Sequence, residues 1–377
     1  MKVCVVAEYY PRPDDRVNGV WAHRQALAAR DAGADVRVLV LDRLLPPAAT
    51  LKDPAALGRW ALSAARRPRR TELDGIQVEY VPFVSPRRER SYGRWHRWAR
   101  GPLARALERA WPFDLVHAHY AHLGGPAARA WTAPRGVPLC VSVHGGDVLA
   151  PPLANPAARA TVTATLAGAA GVLCNSRATL RRAAALAGGD GNMRVVHLGA
   201  DVPAELPEKH ETPTVATLGH VIPRKRHEEV LRALPDGVRW VVIGDGPELD
   251  RLREVARGRD VTFLGELPPE RALDELARCH AMALPSVDEA FGVAYVEALA
   301  RGVPAIGSAG EGGPEEIAAL GGGMLLVPPG DTAALRAAIE RALADPELPG
   351  QARATAAEHF TWERCGRATV GAYEAAL

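Results

Sequence analysis

Apolar residues fall in short runs, and each run is followed by a longer stretch with helix-like character. In the first half the runs are Val3–Ala7, Val36–Leu41, Ile76–Pro82, Leu115–His119, Leu139–His144, Gly171–Cys174 and Val195–Leu198. In the second half they are Thr214–Gly219, Trp240–Gly244, Val261–Leu264, Ala281–Leu284, Ala305–Gly307 and Met324–Val327. Runs that stay apolar at consecutive positions suit strands covered on both faces. Their alternation with helices predicts parallel sheets in an α/β fold. The rhythm breaks in the polar, Pro-rich stretch from Asp201 to Pro213 and then restarts. The pattern therefore predicts two Rossmann-like, doubly wound domains facing a central cleft, residues 1–203 and 204–359. The tail, residues 360–377, predicts one more helix, N-capped by Thr361, which can pack back on the first domain.

The length of 377 residues exceeds one ordinary core and agrees with two domains. A hydrophobic share of 47% with regular Gly and Pro places the chain in the soluble globular class. No run approaches the roughly 18 apolar residues of a membrane span. The chain opens directly on a strand-like run without signal-peptide features, so a cytoplasmic location is expected. The cysteines Cys4, Cys140, Cys174, Cys279 and Cys365 are odd in number and widely spaced. They read as small buried hydrophobes rather than a disulfide framework or a metal site. Residues 1–205 hold 28 Lys+Arg and 17 Asp+Glu, whereas residues 206–377 hold 18 and 27, giving +11 and −9. A basic half and an acidic half suit different partners. Because 42 of the 46 basic residues are Arg, part of that asymmetry is compositional bias.

The strongest chemical signal runs from Ala281 to Pro304. A strand ends near Pro285, a loop leads to Gly292, and a helix follows that stops at Gly302. Open α/β sheets bind ligands at this edge. The helix start offers N–H groups from Gly292 to Ala294 and the positive end of a dipole, which suits a phosphate. Glu289 and Glu297 bracket that start, roughly 12 Å apart if the intervening residues are helical at 1.5 Å each. Carboxylates accept paired hydroxyl donors, and a nucleotide sugar has hydroxyls at both ends of its diphosphate. Lys225 and Arg224 follow a strand that ends near Gly219, where a cation can neutralise a departing diphosphate. In the first half, Gly19 lies between the first strand and a helix, a position where backbone can approach a phosphate or sugar closely. His144 ends a strand and Asp147 follows it. His117, His119 and His122 cluster at another strand end without a carboxylate or Cys partner, so the reading is acceptor-cleft lining, with no metal.

The block from Ser286 to Pro304 resembles the Glu-x7-Glu region of the retaining, GT-B-fold glycosyltransferases of family GT4. Further stretches in matching order extend the resemblance over nearly the whole chain: the opening strand and loop with Gly19, His117 to His119, His144 to Asp147, Gly219 to Lys225, and Gly244 to Pro247. The resemblance implies that Glu289 binds the transferred sugar and that the amides near Gly292 and Val293 bind sugar and phosphates. It further implies that Glu297 binds the ribose and that His144 contacts the sugar near the reacting centre. The family usually has an Arg directly after the glycine of Gly219; this chain has His220, and Arg224 is the candidate substitute. The family also often shows two glycines where this chain has Asn18 and Gly19.

These observations lead to an expected activity: transfer of a hexose-type sugar from a UDP or GDP sugar to a hydroxyl acceptor. The catalytic candidates are Glu289, His144 and Lys225. The donor-binding candidates are Gly19, Arg224, Gly292, Val293 and Glu297, and the acceptor-side candidates are His119 and Asp147. No Asp-x-Asp pair occurs, so no metal is expected, and no cofactor beyond the nucleotide-sugar co-substrate. Retention of configuration is implied by the resemblance. The alternatives are a nucleotide-sugar epimerase of similar fold and a non-catalytic nucleotide-sugar-binding subunit. The Arg-rich segment 86–100, with Trp95 and Trp98, is a candidate for peripheral contact with an anionic membrane. No nucleic-acid module surrounds it.

Overall fold

A computed structural model describes residues 1–86, 93–149 and 155–377. They form two compact units, each built on one sheet. The first unit comprises Met1–Asn175, Thr179–Val196 and Gly366–Leu377. Its strands are β1 (Lys2–Ala7), β2 (Asp35–Arg43), β3 (Arg70–Leu73), β4 (Ile76–Phe83), β5 (Leu115–His119), β6 (Leu139–Val143), β7 (Gly171–Cys174) and β8 (Met193–Val195). Their order is β3-β4-β2-β1-β5-β6-β7-β8, and every pairing is parallel except β3 with β4. The order reverses at β1, so the loops after β1 and β5 open at a topological switch point.

The second unit comprises Ser176–Ala178 and His197–Cys365. Its strands are β9 (Thr214–Leu218), β10 (Arg239–Ile243), β11 (Val261–Gly265), β12 (Ala281–Ala283), β13 (Ala305–Ser308) and β14 (Met324–Val327). They are all parallel, in the order β11-β10-β9-β12-β13-β14, and the switch lies between β9 and β12. Strands β5, β6, β7, β12 and β13 are buried at every position, as the unbroken apolar runs require.

Three features differ from the sequence expectation. The last run of the first half pairs as Met193–Val195 rather than Val195–Leu198. The edge strand β3 has no counterpart among the apolar runs, because its sequence is largely polar and an edge tolerates that. The units divide at 196/197 rather than 203/204. The reason is His197. Its ring stacks on Phe291 at 5.6 Å, and its Nε2 lies 2.7 Å from Glu316 Oε1, both within the second unit. The terminal helix, Trp362–Glu374, starts as expected, with Thr361 Oγ1 accepting the Arg364 N–H at 3.2 Å. Within the first unit, Thr369 Oγ1 accepts from Gln25, and Tyr373 Oη lies 2.7 Å from His117 Nδ1.

Candidate functional site

The second unit brings the donor candidates other than Gly19 together at the ends of β9 and β12, with Lys225 and Glu289. Beyond β9 the chain makes a short 3-10 turn, Pro223–Lys225, that carries Arg224 and Lys225. Beyond β12 it makes the loop that ends at Gly292. The two loops are bonded through the Val287 N–H and the Arg224 carbonyl, 2.9 Å apart. Across them Lys225 Nζ meets Glu289 Oε2 at 2.6 Å, with only 11% and 10% of the two side chains exposed. Arg224, 41% exposed, approaches the same oxygen at 3.5 Å. The Ser286 hydroxyl donates to it at 3.0 Å. Burial works to raise the Glu289 pKa, but the Lys225 ammonium, the Arg224 guanidinium and the Ser286 bond together pull it below the usual carboxylate range. Glu289 is therefore a held anion beside two cations.

Gly292 caps the helix Val293–Ala300 at φ 88, in the left-handed region. No side chain occupies the N-cap bond, so the first amides, Val293 included, stay available. A Cβ at Gly292 would lie 2.3 Å from the Tyr295 ring. Tyr295 is fully buried, and its Oη donates to the Leu284 carbonyl at 2.6 Å and lies 3.0 Å from Ser286 Oγ. Glu297 lies one turn further along the same helix, half-buried, beside Arg301. His220 is exposed at the end of β9.

The first unit gathers a separate aromatic and histidine cluster where β1, β5 and β6 end. His119 Nδ1 and His144 Nε2 are 2.8 Å apart, and their rings stack at 5.0 Å. His117 is bonded on both nitrogens, to Ser142 Oγ at 2.8 Å and to Tyr373 Oη at 2.7 Å. Tyr120 and Trp21 lie 4.9 and 6.4 Å from the His144 ring. Asp147 is fully buried, and its oxygens accept the N–H groups of Ala121, His144 and Gly145 at 2.9, 3.2 and 3.1 Å. Burial pushes its pKa up to about 6 against those bonds. Asp147 thus orders the turn that carries His144. Gly19 sits at φ 74, and a Cβ there would lie 2.2 Å from the Tyr9 carbonyl carbon. The close approach seen here is to the chain's own Tyr9–Tyr10 backbone.

Burial lowers the pKa of His117 and His144 to about 3 and takes His119 well below the ordinary value. Between about 3 and the ordinary histidine value near 6.5 the unfolded chain binds protons that the folded chain excludes. These histidines therefore make stability rise with pH across that window and fall on acidification; Asp147, with its carboxyl raised to about 6, opposes them between the ordinary carboxylate value and about 6. His117 and His119, each 1% exposed, contribute up to about 1.4 kcal/mol per pH unit each, and the half-buried His144 contributes less. Urea unfolding followed from about pH 7 to about pH 5 should show this slope, and His117→Gln should flatten it. An unchanged slope in the variant would remove His117 from the account.

No group of His, Cys, Asp and Glu suited to a metal occurs among the described residues. No helix among them is long and apolar enough to cross a membrane. Of the basic segment, residues 87–92 lie outside the described residues. Trp95 is a core residue, stacked on His122 at 5.5 Å, while Trp98 is 40% exposed beside exposed Arg94, Arg97 and Arg100. Sequence reasoning did not assign roles to Ser286 and Tyr295, although both lie within the string it singled out. It missed Glu311 and Ser176 altogether. Glu311 Oε2 accepts the Glu289 N–H at 2.8 Å, and Ser176 Oγ donates to the Ala290 carbonyl at 2.7 Å. No local pattern signals either contact.

Comparison with known proteins gives the family. Residues 200–359 match the family described as "Glycosyl transferases group 1", and residues 18–199 match the "Glycosyl transferase 4-like domain". A GDP-mannose-dependent alpha-(1-6)-phosphatidylinositol monomannoside mannosyltransferase of Mycobacterium tuberculosis is 34% identical over 30% of this chain and 35% of its own. The chain spans 15% to 35% of the length of the curated relatives it matches at 34% to 38% identity. A putative teichuronic acid biosynthesis glycosyltransferase, TuaC of Bacillus subtilis, is 25% identical over 81% of this chain and 80% of its own. The crystal structure of Anabaena HepE in complex with UDP and glucose superposes with a TM-score of 0.72 at 19% identity, covering 100% of both chains. Two parallel-sheet Rossmann-like units with this likeness make the fold GT-B. The chain belongs to the GT4-type glycosyltransferases, the glycosyl transferases of group 1.

Proposed function

We propose that the chain transfers a hexose-type sugar from a UDP or GDP sugar to a hydroxyl acceptor, with retention of configuration and without a metal ion. The observation that carries this reading is the buried Lys225–Glu289 pair, 2.6 Å apart, next to the uncapped start of the helix Val293–Ala300. In this reading the diphosphate lies on that helix start, with Gly292 and Val293 supplying amides. Lys225 and Arg224 turn toward it and neutralise the charge that grows as the bond to the sugar breaks. Glu289 Oε1, which carries none of the contacts made by Oε2, accepts hydroxyl groups of the transferred sugar. Glu297 accepts the ribose hydroxyls. In the first unit, His144 is the candidate for contact with the transferred sugar, on a turn ordered by Asp147 and against a ring held by His119. Every oxygen of the Asp147 carboxylate is engaged by backbone, and Glu289 is engaged by cations, so neither is a free nucleophile. The leaving phosphate oxygen takes the acceptor proton on the same face, which gives retention.

Donors differ among the similar proteins: GDP-mannose is named for the mycobacterial mannosyltransferase, and HepE was solved with UDP and glucose. A growing polysaccharide, a glycolipid or a small glycoside fits the acceptor class. Trp98 with Arg94, Arg97 and Arg100 is the part of the basic segment suited to an anionic membrane during such a reaction.

The test is sugar transfer from UDP- and GDP-hexoses to a panel of hydroxyl acceptors in excess EDTA. Turnover in EDTA with release of the nucleoside diphosphate supports the reading; turnover that appears only with added Mg²⁺ would sink its metal-free form. The matching diphosphate at 100 times its Kd should stabilise the protein by about 2.7 kcal/mol, and Glu297→Ala should remove most of that shift.

A further inference from the structure

The loop that delivers Glu289 is strained and is held from outside. Asp288, immediately before it, sits at φ 55, in the left-handed region that non-glycine residues seldom adopt and that Asp tolerates better than most. Such a conformation persists only where neighbours impose it. Two contacts impose it here, one on each side of Glu289, and both come from residues remote in sequence. The Glu289 N–H donates to Glu311 Oε2 at 2.8 Å. The Ala290 carbonyl accepts from the hydroxyl of Ser176, a fully buried residue, at 2.7 Å.

Glu311 is the more informative of the two. It occupies the N-cap position of the helix Gly312–Leu320, where a side chain ordinarily accepts from its own helix. It makes no such bond. Its carboxylate reaches instead across 22 residues to the Glu289 peptide. A second anion is thereby brought against a loop that already carries Glu289. That arrangement is tolerable because Glu311 meets an N–H donor while the Glu289 carboxylate faces Lys225 and Arg224. The bond fixes the backbone and so fixes which way the Glu289 side chain leaves it.

We infer that Glu311, with Ser176, is a positioning residue: the two clamp the Asp288–Glu289 and Ala290–Phe291 peptides and hold the Glu289 carboxylate on Lys225 in the geometry that receives the sugar. The inference rests on the reading that Glu289 grips the donor sugar. Neither residue touches the substrate. Loss of the clamp lets the strained Asp288 turn relax, and Glu289 swings away from Lys225. The nucleotide end of the site, carried by Glu297 and the helix start, stays in place.

The experiment compares Glu311→Ala, Glu311→Gln and Ser176→Ala with the unaltered full chain. Glu311→Ala should lower kcat by about tenfold or more, the scale of a lost hydrogen bond to a charged acceptor. The Kd for UDP or GDP should stay within about threefold, which is less than one such bond. Glu311→Gln keeps a carbonyl acceptor and should recover most of the loss; Ser176→Ala should repeat the kcat effect. A second readout is independent of turnover: the ¹³C titration of the Glu289 carboxyl should move up toward the ordinary range in Glu311→Ala and stay low in Glu311→Gln. The inference is overturned if the Glu289 titration is unmoved in Glu311→Ala, if Gln rescues no better than Ala, or if kcat and nucleotide affinity fall together with Tm. Glu289→Gln separates the two ideas. If that variant still transfers sugar at the normal rate, the role of Glu289 fails, while the carboxyl titration of Glu311→Ala still decides whether Glu311 positions it.

Discussion

Glu289→Gln should lower kcat for sugar transfer by on the order of 10²–10³, the scale of removing one preorganised electrostatic contact from a transition state. The substitution keeps the shape of the side chain and an oxygen for Ser286, but removes the negative charge that pairs with Lys225 at 2.6 Å. Lys225 is 8% exposed overall, so its ammonium is left largely buried without its partner. Breaking a buried pair by removing one member costs about 3–5 kcal/mol, and the small residual exposure of both side chains places this case toward the lower end. The variant should therefore lose Tm as well as activity. Release of nucleoside diphosphate in the presence of acceptor, together with thermal unfolding, measures both. A variant that turns over within threefold of the parent would show that the pair is a structural ion pair. A loss of nucleotide binding equal to the loss of kcat would move Glu289 from the sugar to the nucleotide.

Gly292→Ala should be the most damaging single methyl addition in the donor loop. The residue sits at φ 88, where an L side chain costs roughly 1–2 kcal/mol. The new Cβ would lie 2.3 Å from Cδ2 and 2.4 Å from Cε2 of Tyr295. That ring cannot give way freely. It is fully buried, and its hydroxyl is tied to the Leu284 carbonyl and to Ser286. Overpacking a filled interior adds about 1–3 kcal/mol, so a total of roughly 2–5 kcal/mol is expected. The chemistry suffers by the same displacement. Moving Tyr295 disturbs Ser286, which donates to Glu289, and the cap that presents the Val293 amide. A drop in denaturation midpoint at an unchanged m-value, with loss of nucleotide-induced stabilisation, is the expected pattern. A variant with the parent midpoint would mean that the loop re-forms with another residue in the left-handed position.

Part of this site is legible because its signals are local. The string from Ala281 to Pro304 names its own strand, loop, helix and stop. Glu289, Gly292 and Glu297 fall at positions whose meaning follows from where the helix starts. Lys225 is legible for the same reason, as a cation just beyond the end of β9. The histidines and Asp147 were found by their strand-end positions, but their arrangement was not. No spacing rule says that Asp147 turns inward onto three backbone N–H groups, or that His117 is closed off by Tyr373, which lies 256 residues away in the chain. Trp95 and Trp98 look alike in sequence; one stacks in the core and the other is exposed.

By itself the sequence determined the two α/β sheets, most strand positions and the strand-end loops that carry the donor candidates. Hydrophobic periodicity and glycine or proline breaks act over a few residues and are written in the order of the chain. Only the tertiary structure decided that the edge strand β3 forms from polar residues and that His197 belongs with Phe291 and Glu316. It also decided that Gly19 packs against the Tyr9–Tyr10 backbone, and that the loop of Glu289 is held by Lys225 and Glu311 at Glu289 and by Ser176 at Ala290. Those partners lie 64, 22 and 113 residues from Glu289 in sequence and meet through the sheet order and the packing of whole elements. A local pattern specifies where a loop begins, whereas the side chains that fix its conformation are selected by everything that packs around it.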